Sequence, residues 1–201
     1  MSKEIGLETN NYYDGSKRFY DKAMDMTVVK IFSGDYFVTD KPKHVLMTIL
    51  GSCVAACVRD PVANVGGMNH FLLPGTEKDE SARFGAYAME VLINDILKKG
   101  GRKDRLEVKL FGGGNVINNS AMIGNKNADF AIDFIKKEGL SIAKTDLKGT
   151  SPRRVHYYPD TGKVMVRKIG EKEEKELIKE ETTYEKSLVA HKKEEGDVEL
   201  F

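Results

Sequence analysis

The feature that most constrains this chain is a run of fourteen uncharged residues, Val45 to Val58, in which two apolar segments are separated only by Gly51-Ser52-Cys53. A third apolar run, Val65 to Leu73, follows and ends at Pro74. Fourteen residues are too few to span a bilayer, which takes about 20. The segments are short and bounded by Gly and Pro, and so read as central strands of one sheet.

The flanking pattern supplies the rest of a layered fold. Thr27 to Phe32 and Asp35 to Val38, interrupted by Ser33-Gly34, are β-branched and aromatic and read as short strands, with Pro42 as a break. From Ser81 the apolar residues Phe84, Ala88, Val91, Leu92 and Ile96 recur at helical spacing, with Ser81 placed to cap the start and Gly100-Gly101 to end the last turn. Leu106 to Phe111 alternates as a strand into Gly112-Gly113-Gly114, and a second helix is expected over Asn127 to Glu138, with Phe130, Phe134 and Ile135 inward. Leu140 to Ala143, Arg154 to Tyr158 and Lys163 to Ile169 are strand-like, and Pro159-Asp160-Thr161-Gly162 is a hairpin turn. Two main helices against roughly eight strands imply layered α/β packing.

Composition bounds the function classes. With 201 residues and 40% hydrophobic content, the chain can bury a core of ordinary size. A net charge of +1 gives no reason to expect nucleic acid or an anionic membrane surface. The charge is uneven: Glu171 to Phe201 holds eleven acidic against six basic residues, so the tail is acidic and the body mildly basic. Residues 1–24 are expected to be a polar, poorly ordered arm, 25–170 the folded domain, and 171–201 a charged tail. In that tail Leu177, Tyr184 and Leu188 permit a solvated helix with a narrow apolar stripe, but a frayed tail is the simpler expectation. No signal-peptide or membrane-spanning pattern is present, and two closely spaced Cys make no disulfide framework. A reducing, cytoplasmic location is expected.

Chemistry is concentrated at the break in the apolar run. A thiol directly after Gly51-Ser52 occupies the position a nucleophile needs, where a Gly turn exposes the next side chain and lets N–H groups converge on an oxyanion. An isolated Cys is more often structural. His70, inside the next apolar run, must find a partner if buried, and beside Cys53 it would favour the thiolate. Thr48 can orient the imidazole through its other nitrogen, or be an ordinary strand threonine. Gly51, Ser52 and Asn69 are the candidates for oxyanion or substrate contacts. Cys53, Cys57 and His70 are too few ligands for a structural zinc site, so no metal is expected. Gly112-Gly113-Gly114 lacks the residues of a nucleotide loop and is better read as a turn packed against the active strands. His44, His156 and His191 sit among polar neighbours and are expected to be exposed, and Cys57 is expected to be inert.

The residues Thr48-Ile-Leu-Gly-Ser-Cys53-Val-Ala-Ala-Cys57, Asp60-Pro61 and Gly66-Gly-Met-Asn-His70-Phe-Leu-Leu-Pro74 resemble the CheD family of chemotaxis proteins. The resemblance continues through Phe111-Gly-Gly-Gly114, Ile123-Gly-Asn-Lys-Asn127, Asp146-x-x-Gly149, Arg153-Arg154 and Thr161-Gly162-Lys163-Val164, over about residues 26–169. It implies an α/β (α+β) layered sandwich of mixed, largely antiparallel sheets, and a Cys-His-Thr hydrolase needing no cofactor. It implies that Cys53, His70 and Thr48 convert Gln side chains on the cytoplasmic helices of methyl-accepting chemotaxis receptors to Glu through a thioester. An exposed, shallow site would suffice for a substrate reached from outside. The resemblance also implies a CheC-type phosphatase as partner. The alternative is a non-catalytic adaptor that binds that phosphatase or the receptors, with Cys53 structural.

Overall fold

The computed structural model describes residues 17–73, 78–116, 123–170, 175–179, 182, 183 and 186. In chain order the elements are β1 (Arg18–Asp21), β2 (Met26–Lys30), β3 (Tyr36–Thr39), β4 (His44–Leu50), β5 (Val54–Asp60), β6 (Val65–Asn69) and α1 (Lys78–Lys98). A 3-10 turn at Lys103–Arg105 precedes β7 (Glu107–Gly112), α2 (Ile123–Lys137), β8 (Ser141–Leu147), β9 (Arg153–Tyr158) and β10 (Lys163–Lys168). Helix 175–179 follows.

The strands form two five-stranded sheets, β1-β2-β4-β9-β10 and β3-β6-β5-β7-β8. Only β2–β4 and β7–β8 pair in parallel; the other neighbours are antiparallel. The expected mixed, largely antiparallel layered sandwich is therefore what forms. The three central apolar runs do not share one sheet, however. Val45 to Leu50 lies in the first sheet, and the chain crosses at Gly51-Ser52-Cys53 to the second, where β5 and β6 pair.

Strand alternation explains the layering. Leu46 and Leu50 of β4, Ala55 and Cys57 of β5, and Val155 and Tyr157 of β9 fill the space between the sheets. Val54, Ala56 and Val58 face the other way, onto Met89, Leu92 and Ile96 of α1 and Phe134 and Ile135 of α2. Val45, Met47 and Ile49 turn to the outer face of the first sheet, where Leu177 packs on them. Every residue of β4 is buried because both faces of its sheet are covered, which is why that segment reads as a continuous apolar run.

Several boundaries differ from expectation. Arg18–Asp21 within the expected arm pairs antiparallel with β2, in register Arg18 with Val29. Helix α1 begins at Lys78, so Ser81 lies in its first turn instead of at its cap, and α2 begins at Ile123 instead of Asn127. Strand β8 extends to Leu147 because parallel pairing with β7 carries it through a polar stretch that has no strand signal of its own. Leu177 is only 1% exposed, so the tail is not solvated throughout.

Candidate functional site

The topology brings four segments to one end of the sandwich. Strands β2 and β4 run parallel, so both crossings out of the first sheet, at 32–34 and at 51–53, leave from the same end. Strand β6 is antiparallel to β5 and returns to that end, where Phe71 bridges Val54. Strand β7 finishes there too, with Gly112 opposite Val54. Ser33, Cys53, His70 and Gly112 are thus neighbours although far apart in sequence.

Within the cluster, His70 lies just past the end of β6 instead of within it. The Thr48 hydroxyl lies 2.7 Å from His70 Nδ1 and donates to the Ile31 carbonyl at 2.7 Å. A hydroxyl has one proton, and a carbonyl can only accept, so Thr48 must accept from His70 Nδ1–H. Ile31 O is also 3.3 Å from Nδ1. These contacts fix the Nδ1–H tautomer and leave Nε2 as the basic nitrogen. Nε2 lies 3.0 Å from Ser33 Oγ, which is itself 3.4 Å from Cys53 Sγ. Ser33 was not among the sequence candidates. It belongs to a turn that carries no chemical signature by itself, and only the parallel pairing of β2 with β4 sets it beside Cys53.

The turn bearing the thiol is held on one side by three hydrogen bonds to its carbonyls. Gly114 N–H donates to Gly51 O at 2.7 Å, Asn127 Nδ2 to Ser52 O at 2.8 Å, and Gly113 N–H to Cys53 O at 2.7 Å. In a trans peptide the following N–H points opposite to the carbonyl. The N–H groups of Ser52 and Cys53 therefore point away from the Gly112–Gly114 loop and α2. The loop requires glycine: Gly112 has φ +104°, and a Cβ there would lie 2.2 Å from Cys53 O. The glycines pack closely on the Gly51-Ser52-Cys53 turn, as a turn set against these strands was expected to. Asn127, a second residue without a local sequence signal, also accepts from Leu73 N–H at 2.9 Å and so ties α2 to the segment after His70.

Other candidates lie elsewhere. Asn69 does not face the cluster: its Oδ1 accepts from Ala56 N–H at 2.9 Å and its Nδ2 donates to Ala88 O at 2.8 Å, linking β5 and β6 to α1. Alternation puts neighbours in a strand on opposite faces, so Asn69 meets the helices while His70 meets the first sheet. The site is also not an exposed, shallow surface. Cys53 is 0% and His70 3% exposed, because the two sheets close over this end. Cys57 is buried between the sheets, and burial pushes its thiol pKa up against the opposing charge of Lys109, a setting that disfavours the reactive thiolate.

His44 and His156 are buried instead of exposed. His44 Nδ1 pairs with Thr39 Oγ1 at 2.8 Å and its Nε2 lies 3.2 Å from Arg18, a residue of the strand that replaced the expected loose arm. His156 is on the outer face of the first sheet, and burial, then Arg154 and Arg167, pull its pKa down to about 4. His191 lies outside the described residues. Among the described residues no group of three or more His, Cys, Asp or Glu side chains is placed to hold a metal ion. No helix of the described residues is long and apolar enough to cross a membrane.

A family model described as CheD chemotactic sensory transduction matches residues 72–168, which begin just beyond His70. Similar proteins extend the match across the Cys53 turn. A Rhodopseudomonas palustris protein named "Probable chemoreceptor glutamine deamidase CheD" is 48% identical over 96% of this chain and 93% of its own. Proteins of the same name from Janthinobacterium sp. and Herminiimonas arsenicoxydans are 46% and 45% identical, each over 91% of this chain and 93% of theirs. Among solved structures, the Bacillus licheniformis hypothetical protein YfiH is 14% identical over 58% of this chain and 50% of that one, with a TM-score of 0.37.

Proposed function

Since the chain belongs to the CheD family, we propose that it is a cysteine-dependent protein-glutamine deamidase that converts Gln side chains of chemoreceptors to Glu. The observation that carries the reading is the orientation of His70. Its Nδ1–H is held by Thr48, and its Nε2 is turned to the end of the sandwich where Cys53 lies.

The chemistry runs as follows. His70 Nε2 receives the Cys53 thiol proton, and the thiolate attacks the carboxamide carbon of the receptor Gln, forming a C–S bond and an oxyanion. The N–H groups of Ser52 and Cys53 are the donors for that oxyanion. Collapse breaks the C–N bond as the imidazolium gives its proton to the departing ammonia. Water, losing a proton to His70, then attacks the thioester carbon, the C–S bond breaks, and the product is Glu with the thiol restored. Cys53 is buried between the sheets, so the receptor side chain must displace the segments that cover it to reach the thiol. Each new carboxylate adds a negative charge to a receptor helix. We also propose a cytoplasmic location, beside the receptors' cytoplasmic helices, and a CheC-type phosphatase as binding partner.

Peptide mass spectrometry of receptor cytoplasmic fragments incubated with the protein tests this reading. Site-specific Gln-to-Glu conversion, lost in Cys53→Ala and in His70→Ala, is expected. Absence of conversion by the folded, reduced protein on every receptor of its cell would instead favour a binding adaptor, to which full burial of Cys53 is compatible.

A further inference from the structure

We propose that Ser33 is a catalytic residue of this site, which carries the proton between Cys53 and His70 and donates to the thiolate once it has formed. The inference rests on the deamidase reading and adds a residue to it. Ser33 Oγ lies 3.4 Å from Cys53 Sγ and 3.0 Å from His70 Nε2, so one hydroxyl touches both reacting groups.

The backbone that carries the hydroxyl is held by hydrogen bonds. Asp35 N–H donates to Phe32 O at 2.9 Å across a four-residue turn in which Ser33 and Gly34 are central, and Gly34 has φ +86°, as a type II turn requires at its third position. The turn is clamped to the histidine from both sides: Gly34 N–H donates to His70 O at 2.8 Å, and His70 N–H to Asp35 O at 3.0 Å. Ser33 therefore moves with the His70 backbone. Thr48 and Ile31 hold the other side of the ring, so the imidazole lies between two hydroxyls with opposite duties.

The proton inventory closes. In the neutral pair the thiol S–H donates to Ser33 Oγ, and the Ser33 O–H donates to the unprotonated Nε2. Transfer of the Ser33 proton to Nε2, with the thiol proton moving onto Oγ, leaves a neutral serine, an imidazolium and a thiolate. In that state Nε2–H donates to Oγ and the serine O–H donates to sulfur. A hydrogen bond to an ionised acceptor is stronger than one between neutral groups, so this arrangement favours the thiolate–imidazolium pair over the neutral one.

The test compares wild type with Ser33→Ala and Ser33→Thr. The Cys53 thiolate is titrated by its ultraviolet absorbance, as the difference from Cys53→Ala, which cancels Cys57 and needs no substrate. The expected result for Ser33→Ala is a thiol pKa raised by about one unit or more and a deamidation kcat lowered about tenfold or more, with an unchanged circular-dichroism spectrum. Ser33→Thr, which keeps the hydroxyl, is expected to restore most of both. An unshifted thiol titration in Ser33→Ala would overturn the proposal, whether or not the rate fell, because losing a hydrogen bond to the thiolate must raise the thiol pKa. A shifted titration in a protein whose wild type deamidates no receptor would uphold the ion-pair contact of Ser33 and sink the deamidase reading instead.

Discussion

A single hydroxyl proton on Thr48 decides which nitrogen of His70 is basic. Thr48 gives that proton to Ile31 O and must accept from Nδ1–H, so replacing the hydroxyl with a methyl removes the constraint while keeping the shape. Thr48→Val is expected to lower the deamidation kcat about a hundredfold with little change in KM, and Thr48→Ser to retain most of it, as measured by steady-state kinetics on a receptor fragment. A Thr48→Val enzyme with wild-type kcat would make Thr48 an ordinary strand residue. Thr48, Cys53 and His70 were legible in the sequence because a hydroxyl, a thiol and an imidazole stand out in apolar strands. Ser33 and Asn127 stood out in nothing, since serine in a turn and asparagine near a helix start are common residues in common places. Asn69 was a candidate that the fold turns elsewhere: its side chain joins β5 and α1 while His70, the next residue, meets Thr48 of the first sheet.

Strand β9 shows how an element sorts its residues. Val155 and Tyr157 point between the sheets, whereas Arg154 and His156 point to the outer face with Met47 and Ile49 across from them in the pairing register. Burial first, and the positive Arg154 and Arg167 next, hold His156 near a pKa of about 4, below the ordinary 6.5. In the unfolded chain His156 binds a proton below about 6.5, whereas in the folded protein it does so only near 4, so stability rises with pH through that window. Falling pH from about 6.5 to 4 is therefore expected to cost up to about 3 kcal/mol of stability through this residue. His156→Phe should flatten that dependence in urea unfolding measured at a series of pH values, and an unchanged slope would refute the assignment. Periodicity located β9 and both helices, but not which strands would pair. The polar β8 needed β7 beside it, and Arg18–Asp21 needed β2, because edge strands are held by backbone hydrogen bonds that leave little trace in side-chain pattern.

The molecule is layered as helices, second sheet, first sheet and a partial outer cover supplied by Leu177. Leu177 packs on Val28, Val45, Met47 and Ile49 at 1% exposure, so the acidic tail contributes to the fold. Leu177→Ala is expected to destabilise the protein by about 2–5 kcal/mol in denaturant unfolding, the range for a fully buried leucine, whereas a loss within experimental error would return the segment to the status of a solvated tail. One leucine among eleven acidic residues could not announce this burial, because the apolar face it covers belongs to β2 and β4, far away in the chain. What the sequence determined by itself was local and chemical: the apolar runs of a doubly covered sheet, the two helical periods, the glycine break that presents Cys53, and the histidine and threonine that a buried polar site demands. Those follow from side-chain solubility and backbone freedom, which act over a few residues. The tertiary structure alone decided that the three apolar runs divide between two sheets, that the Ser33 turn and the Cys53 turn leave the first sheet at one end, that Asn127 and the glycine loop brace the thiol, and that the site is enclosed. Those depend on strand order and on which faces meet, and that is settled by long-range burial and pairing that no local window of residues encodes.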